Sequence, residues 1–486
     1  MQASVLTATL RGVEALPVEV QADVSAGLPV FGIVGLPDTA VQEARDRVRA
    51  ALRVAGFTFP NARVIVNLAP APLRKHGTGF DLPIALAVLC ATGQTSPDVL
   101  RGMATVGELG LDATVRAVPG MLAHAMTALR TGRELLGPLA TAEVAQAVRG
   151  LRYRGIESLS QLKRGLPPQT HAGHRPPTDR PLPLVDLADI AGHEAAKRVL
   201  QIAAAGGHNL LLVGPPGSGK TMLARALCGL LPPLTDDERL EAALVQSVAG
   251  HDPSVALAGI RPFRAPHHSS SIAGLVGGGT PTRPGEVSLA HHGVLFLDEL
   301  PEFGPGALQA LRQPIEDGWV TLVRVDGSVR YPARVTVVGA MNPCPCGYAG
   351  DSQRSCTCAP ATIARYTARV GGPLFDRMDM AVRVDRIDPA LLLDDAGRTA
   401  ATTGAADAVI RARAFAEGRP EQPQTTSLRP AARRFLEDAA RRSHLSGRGI
   451  CRVLRVARTI ADMEGSTLVS EAHVSEALTY RTWEPA

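Results

Sequence analysis

The run Gly214-Pro215-Pro216-Gly217-Ser218-Gly219-Lys220-Thr221 joins an apolar stretch, His208 to Val213, to a segment with helical spacing that ends at Leu230. No other feature restricts the fold as much. The pattern G-x-x-x-x-G-K-[ST], set between a strand and a helix, makes a turn whose backbone N–H groups and helix N-terminus surround an anion. Lysine at its end reaches outer phosphates, and the hydroxyl beside it ligates Mg²⁺. A strand feeding such a turn belongs to a mostly parallel sheet covered on both faces.

Two more apolar strands are expected, Val294–Leu297 and Arg334–Ala340. The first ends in Asp298-Glu299. Carboxylates at the C-terminal end of a strand in such a sheet sit where ligands bind. Asp298 is therefore expected to hold Mg²⁺ with Thr221, and Glu299 to polarise an attacking water. Asn342, just past the other strand, could stand between the acids and the γ-phosphate, with an ordinary turn residue as the alternative. The implied cofactors are ATP and Mg²⁺.

At 486 residues the chain has room for several domains, each of roughly 100–200 residues. A stretch rich in proline and polar residues, 163–184, has linker composition. It separates a first unit (1–162) from a second (185–388), and an Arg-rich helical unit follows (389–486). The first unit reads as α+β, with helices at Thr39–Ala55 and Leu82–Cys90 and a strand at Arg63–Leu68. The second reads as α/β. Hydrophobic residues are 45 % and charged residues 20 %, enough apolar material for real cores. Aromatics are 3 %, which argues against stacking as a main way of holding bases. A net charge of +5 permits a nucleic-acid partner without requiring one. No run reaches the ~18–20 apolar residues of a membrane span, and the N-terminus lacks a basic-then-apolar leader. A cytoplasmic location without a membrane partner is expected.

Four of the seven cysteines cluster as Cys344-x-Cys346, nine residues, Cys356-x-Cys358. Four thiolates suit tetrahedral Zn²⁺, although C-x₂-C is the commoner spacing; reduced, unligated thiols are the alternative. Gly318–Tyr331 places two β-rich runs around Asp326-Gly327, a hairpin signal. Arg261–Gly285 reads as a loop with few core residues, carrying Arg261, Arg264, His267 and His268. No carboxylate or cysteine stands at a metal-binding spacing from the histidine pair.

Taken together, Gly214–Thr221, GVLFLDELPEF (Gly293–Phe303), VVGAMNPCPCG (Val337–Gly347) and GGPLFDRMD (Gly371–Asp379) resemble the magnesium-chelatase-like AAA+ proteins, and among them the ComM/YifB group. The resemblance spans nearly the whole chain. It implies an AAA+ P-loop core with a helical lid, preceded by a domain similar to the Lon-protease/ribosomal-S5 fold. It assigns Asn342 to the sensor-1 position, Arg377 to an arginine finger serving a neighbouring subunit, and Arg452 or Arg455 to sensor 2, with a solvated helix face as the alternative for any one arginine. An arginine supplied in trans implies a homo-hexameric ring. The hairpin with Arg324 and Arg330, and the segment with Arg261 and Arg264, match pore-facing insertions, which implies contact with DNA phosphates. In the first domain the Lon serine and lysine positions fall on Gly79 and Leu122, so the proteolytic dyad is missing. The implied activity is ATP-dependent motion on single-stranded or branched DNA, as in helicase or branch-migration action during natural transformation and recombination. A magnesium-chelatase ATPase subunit and a protein remodeller are the alternatives.

Overall fold

The computed structural model describes residues 1–171, 185–324, 327–370, 372–388, 402–419 and 427–481. Most of the 163–184 linker, Asp326 of the hairpin turn and the boundary at 389 lie outside the described residues.

A mixed seven-stranded sheet organises the first unit, in the order Val30–Val34, Arg63–Ala69, Glu14–Ser25, Gln2–Arg11, Met103–Thr105, Glu134–Pro138, Tyr153–Ile156. Along Glu14–Ser25 the small and branched residues Ala15, Val18, Val20 and Ala22 turn inward. Helix Thr39–Val54 starts where the Asp38 carboxylate accepts the Val41 N–H at 2.9 Å, a side-chain N-cap. It buries the stripe Val41, Ala44, Val48, Ala51 and Leu52 against helix Asp81–Ala91, which is buried along its whole length. A helix apolar all round has no face to offer water and belongs at the centre. Its one charge, Asp81, is paired there with Arg47 at 2.6 Å.

The second unit is built on five parallel strands, ordered Phe263–Arg264, Val294–Leu297, Thr336–Met341, Leu210–Val213, Met380–Arg383. Period-two alternation splits these strands between two cores. Leu210, Leu212, Val294, Phe296, Val338 and Ala340 enter one apolar cluster, and Leu211, Val213, Leu295, Leu297, Val337 and Met341 enter the other. Burial on both faces explains why these runs are apolar at every position. The C-terminal helices Thr402–Glu417, Pro430–Arg442, Gly447–Met463 and Glu471–Thr479 share the first cluster through Val409, Leu436, Val453, Ile460 and Val474.

The two units are joined by more than a linker. Leu122 and Ala125 of helix Met121–Arg130 share an apolar cluster with Leu234, Ala242, Ala243 and Ala256. The Ser247 carbonyl accepts the Gly120 N–H at 2.7 Å, and its hydroxyl accepts the Leu122 N–H at 3.3 Å. Gly120 has φ 77°, and a Cβ there would lie 2.6 Å from Leu10. At a second seam, the turn Arg11-Gly12 of the first unit meets the hairpin Trp319–Arg324/Gly327–Pro332: a Cβ on Gly12 would lie 2.8 Å from Val329. No described helix is long and apolar enough to cross a membrane.

Candidate nucleotide site

The Gly214–Thr221 loop caps strand Leu210–Val213 and starts helix Lys220–Leu230. Its first glycine is fixed by a close approach, since a Cβ on Gly214 would stand 2.0 Å from the Val384 carbonyl oxygen. Gly217 and Gly219 carry φ of 76° and 88°, values that side chains disfavour. Four groups from three strand ends converge on this turn. Lys220 Nζ donates to the Gly214 and Pro215 carbonyls at 2.8 Å each and to Asn342 Oδ1 at 3.3 Å. The Thr221 hydroxyl donates to Asp298 at 3.2 Å. Burial pushes the Lys220 ammonium below its ordinary value, against the pull of Asp298 and Glu299. Glu299 follows with φ 50°, so the chain turns sharply and the two carboxylates diverge. A cleft of about 790 Å³ opens beside them, lined by Glu299, Asn342 and Pro345 and, from helix Pro360–Ala368 and its end, by Arg365, Tyr366 and Arg369.

Three residues at this site were not singled out in the sequence. His193 stands near Gly219, 3.8 Å from where a Cβ would be. Arg365 and Arg369 border the cleft one helical turn apart. Neither belongs to a motif, and only the fold brings them to the loop.

The remaining arginines of the resemblance gather elsewhere. Asn209, just before the P-loop strand, donates its backbone N–H to Asp379 at 3.0 Å and its amide to the Arg377 carbonyl at 3.0 Å. Arg377 donates to the Arg312 carbonyl at 3.2 Å and pairs with Glu316. Arg452 lies 3.9 Å from both Asp376 and Asp379, and Arg455 3.5 Å from Asp379. This cluster occupies the N-terminal end of Leu210–Val213, whereas Gly214 is at the C-terminal end. A four-residue strand separates them by about 13 Å at ~3.3 Å per residue. The helical unit carrying Arg452 and Arg455 thus lies against one face and the far end of the sheet.

The four clustered cysteines meet: all four sulfurs lie within 4.8 Å of one another, with Cys344 3.3 Å from Cys346 and 3.6 Å from Cys356. Four sulfurs about 2.3 Å from a central Zn²⁺ would be spaced about 3.8 Å apart, so the arrangement fits a tetrahedral centre. The Ala349 N–H donates to Cys344 and the Cys358 N–H to Cys356. Burial works to raise the Cys346 thiol, but backbone N–H groups and the neighbouring sulfurs bring it down to about 6.

A second cluster, Glu241, His291 and His292, has the wrong chemistry for a metal. His291 Nδ1 accepts the Arg334 N–H at 3.1 Å, so its proton is on Nε2, which donates to Glu241 at 3.2 Å. Binding a cation at Nε2 would require the imidazolate. Burial pushes His291 down to about 4, which keeps it neutral.

Known proteins are similar to this chain along most of its length. Family models match in three consecutive blocks: "Magnesium chelatase, subunit ChlI" over residues 186–392, "Subunit ChlI of Mg-chelatase" over 20–140 and "Magnesium chelatase, subunit ChlI C-terminal" over 399–481. The protein YifB of Salmonella typhimurium is 42 % identical, over 99 % of this chain and 97 % of its own. The competence protein ComM of Haemophilus influenzae is 40 % identical, over 97 % and 95 %. This chain belongs to the ComM/YifB family. By contrast, the magnesium-chelatase subunit ChlI of Trieres chinensis is 25 % identical over 33 % of this chain.

Two expectations about this ComM/YifB-family chain need correction. Arg261 does not face a ligand: its side chain is 9 % exposed and donates to the Pro232 and His292 carbonyls at 2.6 Å each and to Glu238 at 3.1 Å. Arg264 is held by Glu286 through two bonds, 2.6 and 2.7 Å. Both tie the segment down. Nor is Arg261–Gly285 a plain loop, for it contains helix Ile272–Val276 and a ribbon of Gly277–Gly278 with Arg283–Pro284, anchored by fully buried Leu275. Arg324 and Arg330 do stand exposed on the hairpin, and Arg11 reaches the turn beside Gly327, a third cation the sequence pattern did not single out.

Proposed function

We propose that this chain is an ATP-hydrolysing ring motor acting on DNA. The observation that carries the ATPase reading is the convergence of Lys220, Thr221, Asp298 and Asn342 at the C-terminal edge of a parallel sheet, with Glu299 beside the cleft. In this reading the loop amides and Lys220 hold the phosphates, Thr221 and Asp298 hold Mg²⁺, and Asn342 and Glu299 position the water. Mg²⁺ supplies charge neutralisation on the phosphate oxygens.

The far-end position of Arg377, Arg452 and Arg455 supports shared sites. These side chains lie too far from their own P-loop to touch its nucleotide, so they serve a neighbour's, and a closed ring, taken here as a hexamer, satisfies every subunit. A DNA substrate is supported by the competence protein among the relatives and by the exposed Arg324 and Arg330 with Arg11 beside them. The first domain is read as Lon/S5-like without proteolysis, since Gly79 faces Val106 and Val118, and Leu122 is buried in the seam. The cysteine knuckle is read as a structural Zn²⁺ centre on the strength of its sulfur geometry; metal analysis of purified protein should return one zinc per chain. A cytoplasmic location completes the reading.

The test is ATP hydrolysis with and without single-stranded and four-way-junction DNA, using Lys220→Ala as the blank. Stimulation that falls steeply with salt supports the motor, since phosphate contacts release counterions. DNA-independent hydrolysis that responds instead to a porphyrin and partner subunits would move the assignment to a chelatase ATPase.

A further inference from the structure

The first unit meets the exposed hairpin through the turn between its first two strands. Gln2–Arg11 and Glu14–Ser25 are joined by Gly12-Val13 alone, with Arg11 opposite Glu14 in register. Val13 packs against the same apolar cluster as Leu322 and Val329 of the hairpin. Gly12, at φ 67°, leaves no room for a side chain, since a Cβ there would lie 2.8 Å from Val329. This docking aims Arg11 at the end of the hairpin. Its Nη2 takes the space that a Cβ on Gly327 would fill, and Gly327 is the residue directly opposite Arg324. Residues opposite each other across an antiparallel pair hold their Cβ atoms about 4.5–5.5 Å apart. Arg11 therefore supplies, from another unit, the side chain that Gly327 lacks beside Arg324.

The same arrangement repeats one step further on. Nη2 of Arg324 lies 3.5 Å from where a Cβ on Gly278 would be, and Gly278 is directly opposite Arg283 in the ribbon Gly277–Gly278/Arg283–Pro284. The ribbon is tied to the hairpin by the Tyr331 hydroxyl, which donates to the Thr282 carbonyl at 2.9 Å. Arg11, Arg324 and Arg283 thus stand in a row, each reaching the next across a glycine. All three are exposed. Among the described residues none of them forms an ion pair or a side-chain hydrogen bond, whereas Arg264 nearby is pinned to Glu286. Like charges set side by side repel, and anions between them remove the repulsion. The planar guanidinium fork suits phosphate oxygens, and a row of cations matches a chain of phosphates rather than a single anion. Arg330, opposite Thr321, projects from the other face of the hairpin and stands apart from this row.

We propose that Arg11, Arg324 and Arg283 form one phosphate-binding row, and that through Arg11 the first unit itself grips the nucleic-acid strand. The inference rests on the reading of DNA as the substrate. The experiment measures binding of a fluorescein-labelled oligothymidylate by fluorescence anisotropy, across a salt titration, with the full-length protein held in a non-hydrolysable ATP analogue. The variants are Arg11→Ala, Arg11→Lys, Arg324→Ala, Arg283→Ala and Arg330→Ala. Arg101→Ala is the control, an exposed arginine of the first unit paired with Asp98. Arg11→Ala should bind more weakly at low salt, and its slope of log K against log salt should be shallower by at least about 0.7, the value for one phosphate contact on a single strand. Arg324→Ala and Arg283→Ala should lose a similar amount. Arg11→Lys keeps the charge and should keep most of the slope, and Arg101→Ala should bind as the wild type does. A wild-type slope in Arg11→Ala or Arg283→Ala, while Arg324→Ala or Arg330→Ala loses slope, would overturn the row and leave the DNA reading standing. So would weaker binding by Arg11→Ala with an unchanged slope and a lower melting temperature, since that marks damage to the docked turn. An equal loss of slope in Arg101→Ala would trace the effect to net charge and overturn the site. If the wild type fails to bind the oligonucleotide at low salt, or binds it equally well in every variant, the DNA reading itself fails. Binding of polyglutamate that is lost in the same variants would assign the row to an acidic protein segment and overturn the assignment to nucleic acid.

Discussion

Glu299 is a non-glycine residue held at φ 50°, a conformation that costs of order 1–3 kcal/mol and survives only where its surroundings impose it. The preceding strand is buried on both faces, so the chain must leave it abruptly to bring a carboxylate to the surface. Asp298, one residue earlier, is bound to Thr221, and its other oxygen accepts the Glu299 N–H at 2.9 Å. The proposed function divides metal binding and water activation between these two acids. Glu299→Gln should keep ATP affinity near the wild-type value and lower hydrolysis by about 10²- to 10⁴-fold, the range for loss of a general base. Lys220→Ala should instead lose the tight binding itself, because its ammonium, set at the start of the helix beside the loop, is the group read as reaching the outer phosphates. Titration with a fluorescent ATP analogue beside a phosphate-release assay separates the two; equal loss of affinity in both variants would contradict this division.

The cysteine cluster, proposed as a zinc centre, is also placed to shape the cleft. It begins two residues after Asn342 and ends two residues before helix Pro360–Ala368, so it joins two walls of the cleft. Gly347 brings it against the P-loop: φ is 87°, and a Cβ would lie 2.7 Å from the Pro216 ring. Gly347→Ala must therefore strain the turn or push the loop away, and is expected to raise KM for ATP severalfold while zinc content stays at wild type. Zinc loss in that variant would mean that the turn serves the metal rather than the loop. The P-loop, the acidic strand and the hairpin were legible from sequence because each combines a residue pattern with a flanking period. Arg365 and Arg369 were not, since a helical surface arginine carries no local mark. Arg261 misled for the converse reason: a cation in a stretch with few core residues reads as exposed, and only tertiary packing shows that Glu238 and two carbonyls surround it.

On the scale of the whole molecule, the two units share an apolar seam. Leu122 is fully buried in the shared seam, and Leu122→Ala should cost about 2–5 kcal/mol, as for other buried leucines, visible as a lower melting temperature of the intact chain. His124, in the same helix, is pushed by burial from 6.5 down to about 4. The unfolded chain therefore takes up a proton as pH falls through 6.5 that the folded chain refuses until about pH 4, and stability declines across that window. His124→Leu should flatten the decline of Tm between pH 7 and pH 5; an unchanged slope would place the acid sensitivity elsewhere. Assembly adds the last constraint. Arg377 sits at the opposite end of the P-loop strand from Gly214, so its guanidinium cannot reach the nucleotide bound by its own chain. In the ring proposed above, each subunit would lend its arginine to the next. Arg377→Ala alone should bind ATP yet hydrolyse it about 10³- to 10⁵-fold more slowly, the range for loss of an arginine finger, and Lys220→Ala alone should be equally inactive. Mixed in one ring, the two form some interfaces that combine an intact Lys220 with an intact Arg377, and activity should reappear, highest near equal proportions. No recovery at any ratio, with mixed rings verified by mass, would refute the shared-site arrangement.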